Sequence, residues 1–178
     1  MARRKPRPLT RARLGRYADW YLERWSATQA SLHRALWRRA HKVLREHPHD
    51  ELEVGVWIDE AIAERVRMGL VNDRRYAEDV LRSHRRRGVS ERQTRSKLRV
   101  KGVDGALIDE LFAQTDPERE LRSAAKYARR RRLGPYRRKP IDREGRAKEL
   151  AKFGRAGFSF DIAAEVVDAS DPSCLPEH

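Results

Sequence analysis

The chain has 178 residues, 39% hydrophobic and 38% charged, enough for one or two modest cores but too lean in apolar residues for a single thick one. Its 41 Lys and Arg against 27 Asp and Glu give a formal charge of +14, a balance that favours anionic partners, either nucleic acid or an acidic protein surface. No run approaches the ~18 apolar residues of a membrane span, the basic opening lacks the apolar core of a signal peptide, and the lone Cys174 has no intrachain disulfide partner, so a soluble protein of a reducing, cytoplasmic compartment is expected.

Alternating β-branched runs are scarce, while apolar residues recur at spacings of three and four, so helices are expected throughout. Residues 1–9 read as a basic flexible arm. A first three-helix repeat spans 10–71, with helices predicted from Thr10 to Arg24, from Thr28 to about His47 with Leu32, Leu36, Val43 and Leu44 inward, and roughly from Leu52 to Met68. Its four tryptophans, Trp20, Trp25, Trp37 and Trp57, are expected to form its core. A second repeat spans 72–115: Asn72 and Asp73 cap a helix carrying Tyr76, Ala77, Val80, Leu81 and His84 along one face, Gly88 ends it, and Ser90 with Gln93 suggests a capping box. A third repeat spans 116–168, opening with Asp116 as N-cap, Pro117 in the first turn, and Leu121, Ala125 and Ala128 inward. Residues 169–178 read as a flexible tail.

The repeat emerges when Leu98 is laid over Phe153, an offset of 55 residues. Gly102-Val103-Asp104 then matches Gly157-Phe158-Ser159, and Leu107, Leu111 and Phe112 match Ile162, Val166 and Val167. Each segment reads as helix, glycine stop in the left-handed conformation, new N-cap and helix. The expected fold is all-α, with three tandem three-helix repeats in an elongated, curved array.

The segments Gly69-Leu70-Val71-Asn72-Asp73-Arg74-Arg75-Tyr76-Ala77-Glu78, Arg85-Arg86-Arg87-Gly88 and Lys101-Gly102-Val103-Asp104 resemble the RecX family, and Arg155-Ala156-Gly157-Phe158-Ser159-Phe160-Asp161 is similar to that family's ending. The stretch from Lys42 to Val54 is longer than most members have there. The resemblance implies a modulator of RecA that lies in the groove of the RecA filament, blocks strand exchange and repressor cleavage, and promotes filament loss.

Charge is segregated along the chain: residues 74–101 hold eleven basic and three acidic side chains, whereas 50–60 hold five acidic and no basic ones. On the helix from Ser90, Thr94, Leu98 and Lys101 share the core side, and Arg92, Arg95 and Arg99 gather roughly opposite. The preceding helix sets Arg75, Arg82 and Arg86 outward, with Arg85 beside them, so two arginine stripes form a candidate surface for the filament or for DNA. Residues 126–139 add eight basic and no acidic residues around the break Leu133-Gly134-Pro135-Tyr136. There Arg129, Arg130 and Arg131 precede Tyr136, Arg137 and Arg138, a pattern suited to phosphate contact and base stacking or, for Tyr136, to packing within its own repeat. The alternative for every such charge is a solvated face.

His47-Pro48-His49-Asp50-Glu51 has ligand-type side chains but lacks the second His or Cys pair of a tetrahedral zinc site, so no metal is expected. Neither a nucleophile motif nor a phosphate-binding glycine loop occurs, and the chain is expected to be non-enzymatic and free of cofactors. Three functions are compatible: a monomer that binds the RecA filament; a sequence-nonspecific module for single-stranded or double-stranded DNA; and a scaffold joining proteins. The helices lack the mixture of Asn, Gln and Ser among arginines that base reading requires.

Overall fold

The computed structural model describes residues 7–113 and 118–176. Among these residues there are nine α-helices, two short 3-10 turns and no strands. They form two compact units, the chain through Tyr76 together with Lys101–Val103, and Ala77–Val100 together with Asp104 onward.

The first unit contains α1 (Arg11–Leu22), α2 (Gln29–Leu44) and α3 (Glu51–Arg67). Each starts where a side-chain oxygen accepts an otherwise unpaired N–H: Thr10 from Arg13, Thr28 from Ser31 and Asp50 from Leu52. Helix α2 stops at Leu44, before the expected His47. The apolar faces of the three helices close on Leu14, Leu32, Leu36, Val54 and Ile58. One charge is buried there. The guanidinium of Arg65 donates from Nε and Nη2 to the two oxygens of Asp19 at 2.9 and 2.8 Å and to the Gly15 carbonyl at 3.0 Å, which satisfies a group that would otherwise be costly to desolvate.

Two of the tryptophans depart from the expected core. Trp20 and Trp25 are 40% and 49% exposed, and only Trp37 and Trp57 pack against it, half-buried. Helix α1 buries Leu14 and Ala18, one turn apart, and Trp20 lies about 200° around the helix from Ala18, on the outer side. There it stacks on Tyr17 at 5.3 Å and meets the edge of Trp25 at 5.6 Å, with the Arg24 guanidinium 4.5 Å from its ring.

Helix α4 (Asp73–Arg87) starts at Asn72, whose side chain accepts the Arg75 N–H, and buries Ala77, Val80, Leu81 and His84. Helix α5 (Glu91–Lys101) buries Thr94 and Leu98, and α6 (Gly105–Ala113) buries Ile108 and Phe112. Ser90 accepts the Gln93 N–H as expected, but the Gln93 side chain reaches the Arg155 carbonyl instead of turning back, so the box is only half formed.

Helices α7 (Glu118–Arg131), α8 (Arg143–Arg155) and α9 (Phe160–Asp168) enclose a core of Ala124, Ala128, Phe153, Phe158, Val166 and Val167. The caps expected at Asp116 and Pro117 lie outside the described residues. A 3-10 turn, Gly134–Tyr136, follows α7. The expected frayed tail is instead anchored through Cys174–Leu175: Asp171 caps the 3-10 turn Pro172–Cys174, and Leu175 is buried against the second core. Prolines and polar residues on either side leave that single apolar anchor without a pattern in the sequence.

The 55-residue echo has a structural counterpart. Leu98 and Phe153 are fully buried, Ile108 and Ala163 occupy equivalent buried positions, and Asp104 and Ser159 each accept N–H groups of the following helix. Gly102 and Gly157 have φ of +80° and +90°. A Cβ on Gly157 would stand 2.5 Å from the Ser90 hydroxyl.

Two outcomes follow for stability. Leu98→Ala should cost ~2 to 5 kcal/mol in denaturant unfolding, as expected for a fully buried leucine; a loss under about 1 kcal/mol would contradict its place in the core. Gly69, with φ of +70°, has open space around it, whereas Gly157 does not. Gly69→Ala should therefore cost only the backbone strain of ~1 to 2 kcal/mol, and Gly157→Ala clearly more; equal losses would argue against the close approach to Ser90.

Candidate binding surface

The arginines singled out from sequence fall into free and engaged groups. On α4, Arg75, Arg82 and Arg86 are exposed, with Arg82 ion-paired to Asp79. Arg85 is half-buried, and its buried Nε has no hydrogen-bond partner. Desolvation, then the neighbouring Arg119 charge, hold its pKa below the usual arginine range.

On α5, Arg92 and Arg99 are exposed, but Arg95 is not part of a free stripe. Its Nε meets Glu91 at 2.6 Å, its Nη1 meets Asp109 at 2.5 Å, and the guanidinium lies 4.3 Å from the Phe112 ring centre. A helical wheel places Arg95 on the outer side correctly but cannot show that α6 brings Asp109 and Phe112 against it. Arg92 keeps a hydrogen bond to the Gly154 carbonyl.

In α7 and the turn after it, Arg129, Arg130 and Arg131 are exposed, with Arg130 donating to the Arg87 carbonyl. Tyr136 is half-buried against the second core, which favours packing within its own repeat over a presented stacking face. Arg137 is also engaged, donating to Glu149 at 3.1 Å and to the Val167 carbonyl at 2.7 Å; Glu149 is buried and accepts the Gly134 N–H as well. Arg138 is exposed. In the first unit, His49 pairs with Glu53 at 2.8 Å and packs its ring against Trp57. Among the described residues no group of three or more ligand-type side chains could hold a metal ion, and no helix is long and apolar enough to cross a membrane.

The fold also assembles cations that sequence reasoning did not join. In the second unit a cleft of about 600 Å³ is lined by Gln93, Tyr127, Arg130, Arg131, Lys152 and Arg155, together with Gly88, Val89 and Ala156. An adjoining opening shares Val89, Gln93 and Arg130 and adds Arg87 and Lys97 beside His84. No carboxylate lines either one. Lys152 and Arg155 lie one turn apart on α8, a helix rich in both signs of charge, so nothing local marked them. Their significance depends on the α7 arginines brought opposite.

Two titratable groups of the same unit, one buried and one half-buried, are shifted by their surroundings. His84 is buried, and burial followed by the Lys97 and Arg87 charges lowers its pKa to about 4. The hydroxyl of Thr94 donates to the Ser90 carbonyl, so it accepts from His84 Nδ1–H at 2.9 Å, leaving Nε2 to accept from the Lys97 ammonium at 3.4 Å. The neutral ring fits this arrangement. Glu120 accepts the Glu91 N–H with both oxygens, yet burial raises its pKa to about 7, with the Glu91 charge adding to the shift.

Residues 72–111 match the family model described as RecX, second three-helix domain. The Regulatory protein RecX of Myxococcus xanthus is 38% identical over 169 residues, 94% of this chain and 90% of that protein. That of Agrobacterium fabrum is 40% identical over 97 residues, 54% of this chain and 51% of its own length. Among solved structures, RecX from Lactobacillus salivarius superposes with a TM-score of 0.67 at 19% identity, over 90% of this chain and 96% of that one. Another regulatory protein RecX gives 0.64 at 22% identity, over 89% and 72%. These two likenesses establish the fold.

The engaged and free arginines should separate in stability measurements. Arg92→Ala with Arg99→Ala should shift unfolding by no more than about 1 kcal/mol, as for exposed charges, whereas Arg95→Ala alone should exceed that pair; a smaller loss for Arg95→Ala would show its contacts to be dispensable. His84 and Glu120 predict opposing pH slopes. His84, with its pKa lowered from 6.5 to about 4, contributes stability that is lost as pH falls through that window. Glu120, raised from 4.5 to about 7, binds more protons folded than unfolded, so its contribution is lost as pH rises through that window. Glu120→Gln should therefore make urea midpoints rise with pH between 5 and 6.5 more steeply than in the parent chain. A parallel pair of profiles would exclude a raised Glu120 pKa.

Proposed function

The chain belongs to the RecX family, and from that membership we propose that it binds the RecA filament and inhibits or modulates its recombinase and coprotease activities. The observation that carries this reading is the 38% identity to a named regulatory protein across 94% of the chain. Such a match leaves little of the chain for a different task. The regulator works without catalysis or cofactor, as a cytoplasmic monomer whose three helix triplets, over 10–71, 72–115 and 116–168, serve as the repeats.

The free cations on α4, α5 and α7 support docking on an anionic surface. Arg75, Arg86, Arg92, Arg99 and Arg129 are exposed and are the best-suited of the sequence candidates, whereas Arg95 and Arg137 hold the fold together. Charged groups of this kind steer association and set orientation more than they add affinity, so binding should weaken with ionic strength.

The direct test is strand exchange by RecA on single-stranded DNA with the purified chain added. The rate should fall several-fold well before the regulator equals RecA in amount, and RecA-dependent repressor cleavage should fall with it. Strand exchange unaffected at equal amounts would overturn the reading. Replacing Arg92 and Arg99 by Ala should weaken inhibition while helicity and melting temperature stay as they were; full inhibition by that variant would move the docking surface off α5.

A further inference from the structure

Helix α3 has two apolar sides, and the first unit uses one of them. Val54, Ile58, Ala61 and Ile62 face the core. At 100° per residue, Leu52, Val56, Ala63 and Val66 fall within about 80° of one another on the roughly opposite side. All four are exposed, Leu52 by 82% and Val56 by 56%. Of the large apolar side chains exposed among the described residues, half lie on this helix or in the three residues after it, so the exposure is concentrated and not scattered.

The spacing specifies the shape that covers such a face. Leu52, Val56, Asp59, Ala63 and Val66 step by four, three, four and three residues, the seam along which one helix packs on another. It runs for about 21 Å. Gly55 borders the seam without a side chain, and the half-buried Trp37 of α2 lies 3.6 Å from where a Cβ would stand, so the apolar surface continues onto an indole.

The charge specifies which helix. Asp59 stands within the seam, and Glu53 and Glu60 border it. In the fold Asp59 meets His33 at 3.9 Å, Glu53 meets His49 at 2.8 Å and Glu60 meets Arg11 at 3.0 Å, which makes Arg11 the one permanent cation among their partners. On α3 itself Arg67, in the last turn, is the one cation beside the seam. An acidic and apolar face repels phosphate, whether of nucleic acid or of an anionic membrane. A second copy of the chain would bring the same carboxylates, and like charges along a seam oppose pairing.

We propose that the outer face of α3 is a docking surface for an amphipathic helix of a partner protein, one whose apolar seam is flanked by lysine or arginine. Leu52, Val56, Ala63 and Val66 receive its apolar residues, and Glu53, Asp59 and Glu60 its cations. The surface belongs to the first unit alone and does not depend on inhibition of RecA.

The test uses the full chain and a fluorescent synthetic peptide of about three heptads, with leucine along the seam and lysine at the flanking positions. The lysines repel other copies of the peptide and keep it unpaired. Followed by anisotropy, it should bind with a Kd below about 100 μM and weaken with salt. Leu52→Gln with Val56→Gln should weaken it by at least about tenfold, as two apolar anchors are lost, while helicity and melting temperature stay as in the parent. Val100→Gln with Phe160→Gln removes exposed apolar surface elsewhere and should leave the affinity unchanged. Glu53→Lys with Glu60→Lys should reverse the preference between this peptide and one flanked by glutamate, and decides alone if the first variant loses helicity. A lysine-flanked peptide that does not bind would overturn the surface. So would equal binding of a peptide with serine along its seam, or undiminished binding by the Leu52 and Val56 variant. Sedimentation showing a self-associating parent and a monomeric variant would assign the face to a second copy and overturn the proposed occupant.

Discussion

The Ser90 hydroxyl joins two helix ends and so fixes the geometry on which the second unit's surface depends. It accepts the Gln93 N–H at the start of α5 and donates at 2.6 Å to the carbonyl of Ala156, just past the end of α8. The approach requires Gly157, both for its positive φ and because any side chain there would strike the Ser90 oxygen. Ser90 itself is fully buried, and its hydroxyl satisfies backbone groups at both helix ends that would otherwise lack a partner. Its position beside Gln93 and Arg155 means that the last turn of α8 is held in place by a cap and not by its charged side chains. Those side chains are left exposed.

Arginine does two physically different jobs in this chain. Arg65, Arg95 and Arg137 use the planar fork to tie elements together through carboxylates and carbonyls, with buried hydrocarbon or aromatic surface around them. Arg86, Arg99 and Arg129 are exposed and contribute little to folding. Net charge alone cannot distinguish the two, because a structural arginine and a solvated one count equally in it. The difference lies in whether the fold brings a carboxylate within reach.

That distinction explains what the sequence could and could not disclose. The helix caps at Thr10, Thr28, Asn72 and Ser159, the left-handed stops at Gly102 and Gly157 and the buried positions of Leu98 and Phe153 depend on neighbours a few residues away, so local spacing exposes them. Arg95 depends on Asp109 from another helix, and Lys152 gains meaning only opposite Arg131, so periodicity had no access to either. Trp20 was misplaced because aromatic character was weighed above angle: its position around α1 puts it outside, where four rings and an arginine shelter one another. Leu175 was missed because one apolar residue gives no period at all.

The distribution of indoles gives each unit its own optical signature. All four tryptophans lie in the first unit, two of them substantially exposed, whereas the second unit contains no indole. Emission excited at the red edge of indole absorption therefore reports the first unit alone, while far-ultraviolet ellipticity sums the helices of both. Recorded along one denaturation curve, the two signals coincide only if the units melt together, so the separation of their midpoints measures the cooperativity of the whole chain without any label being introduced.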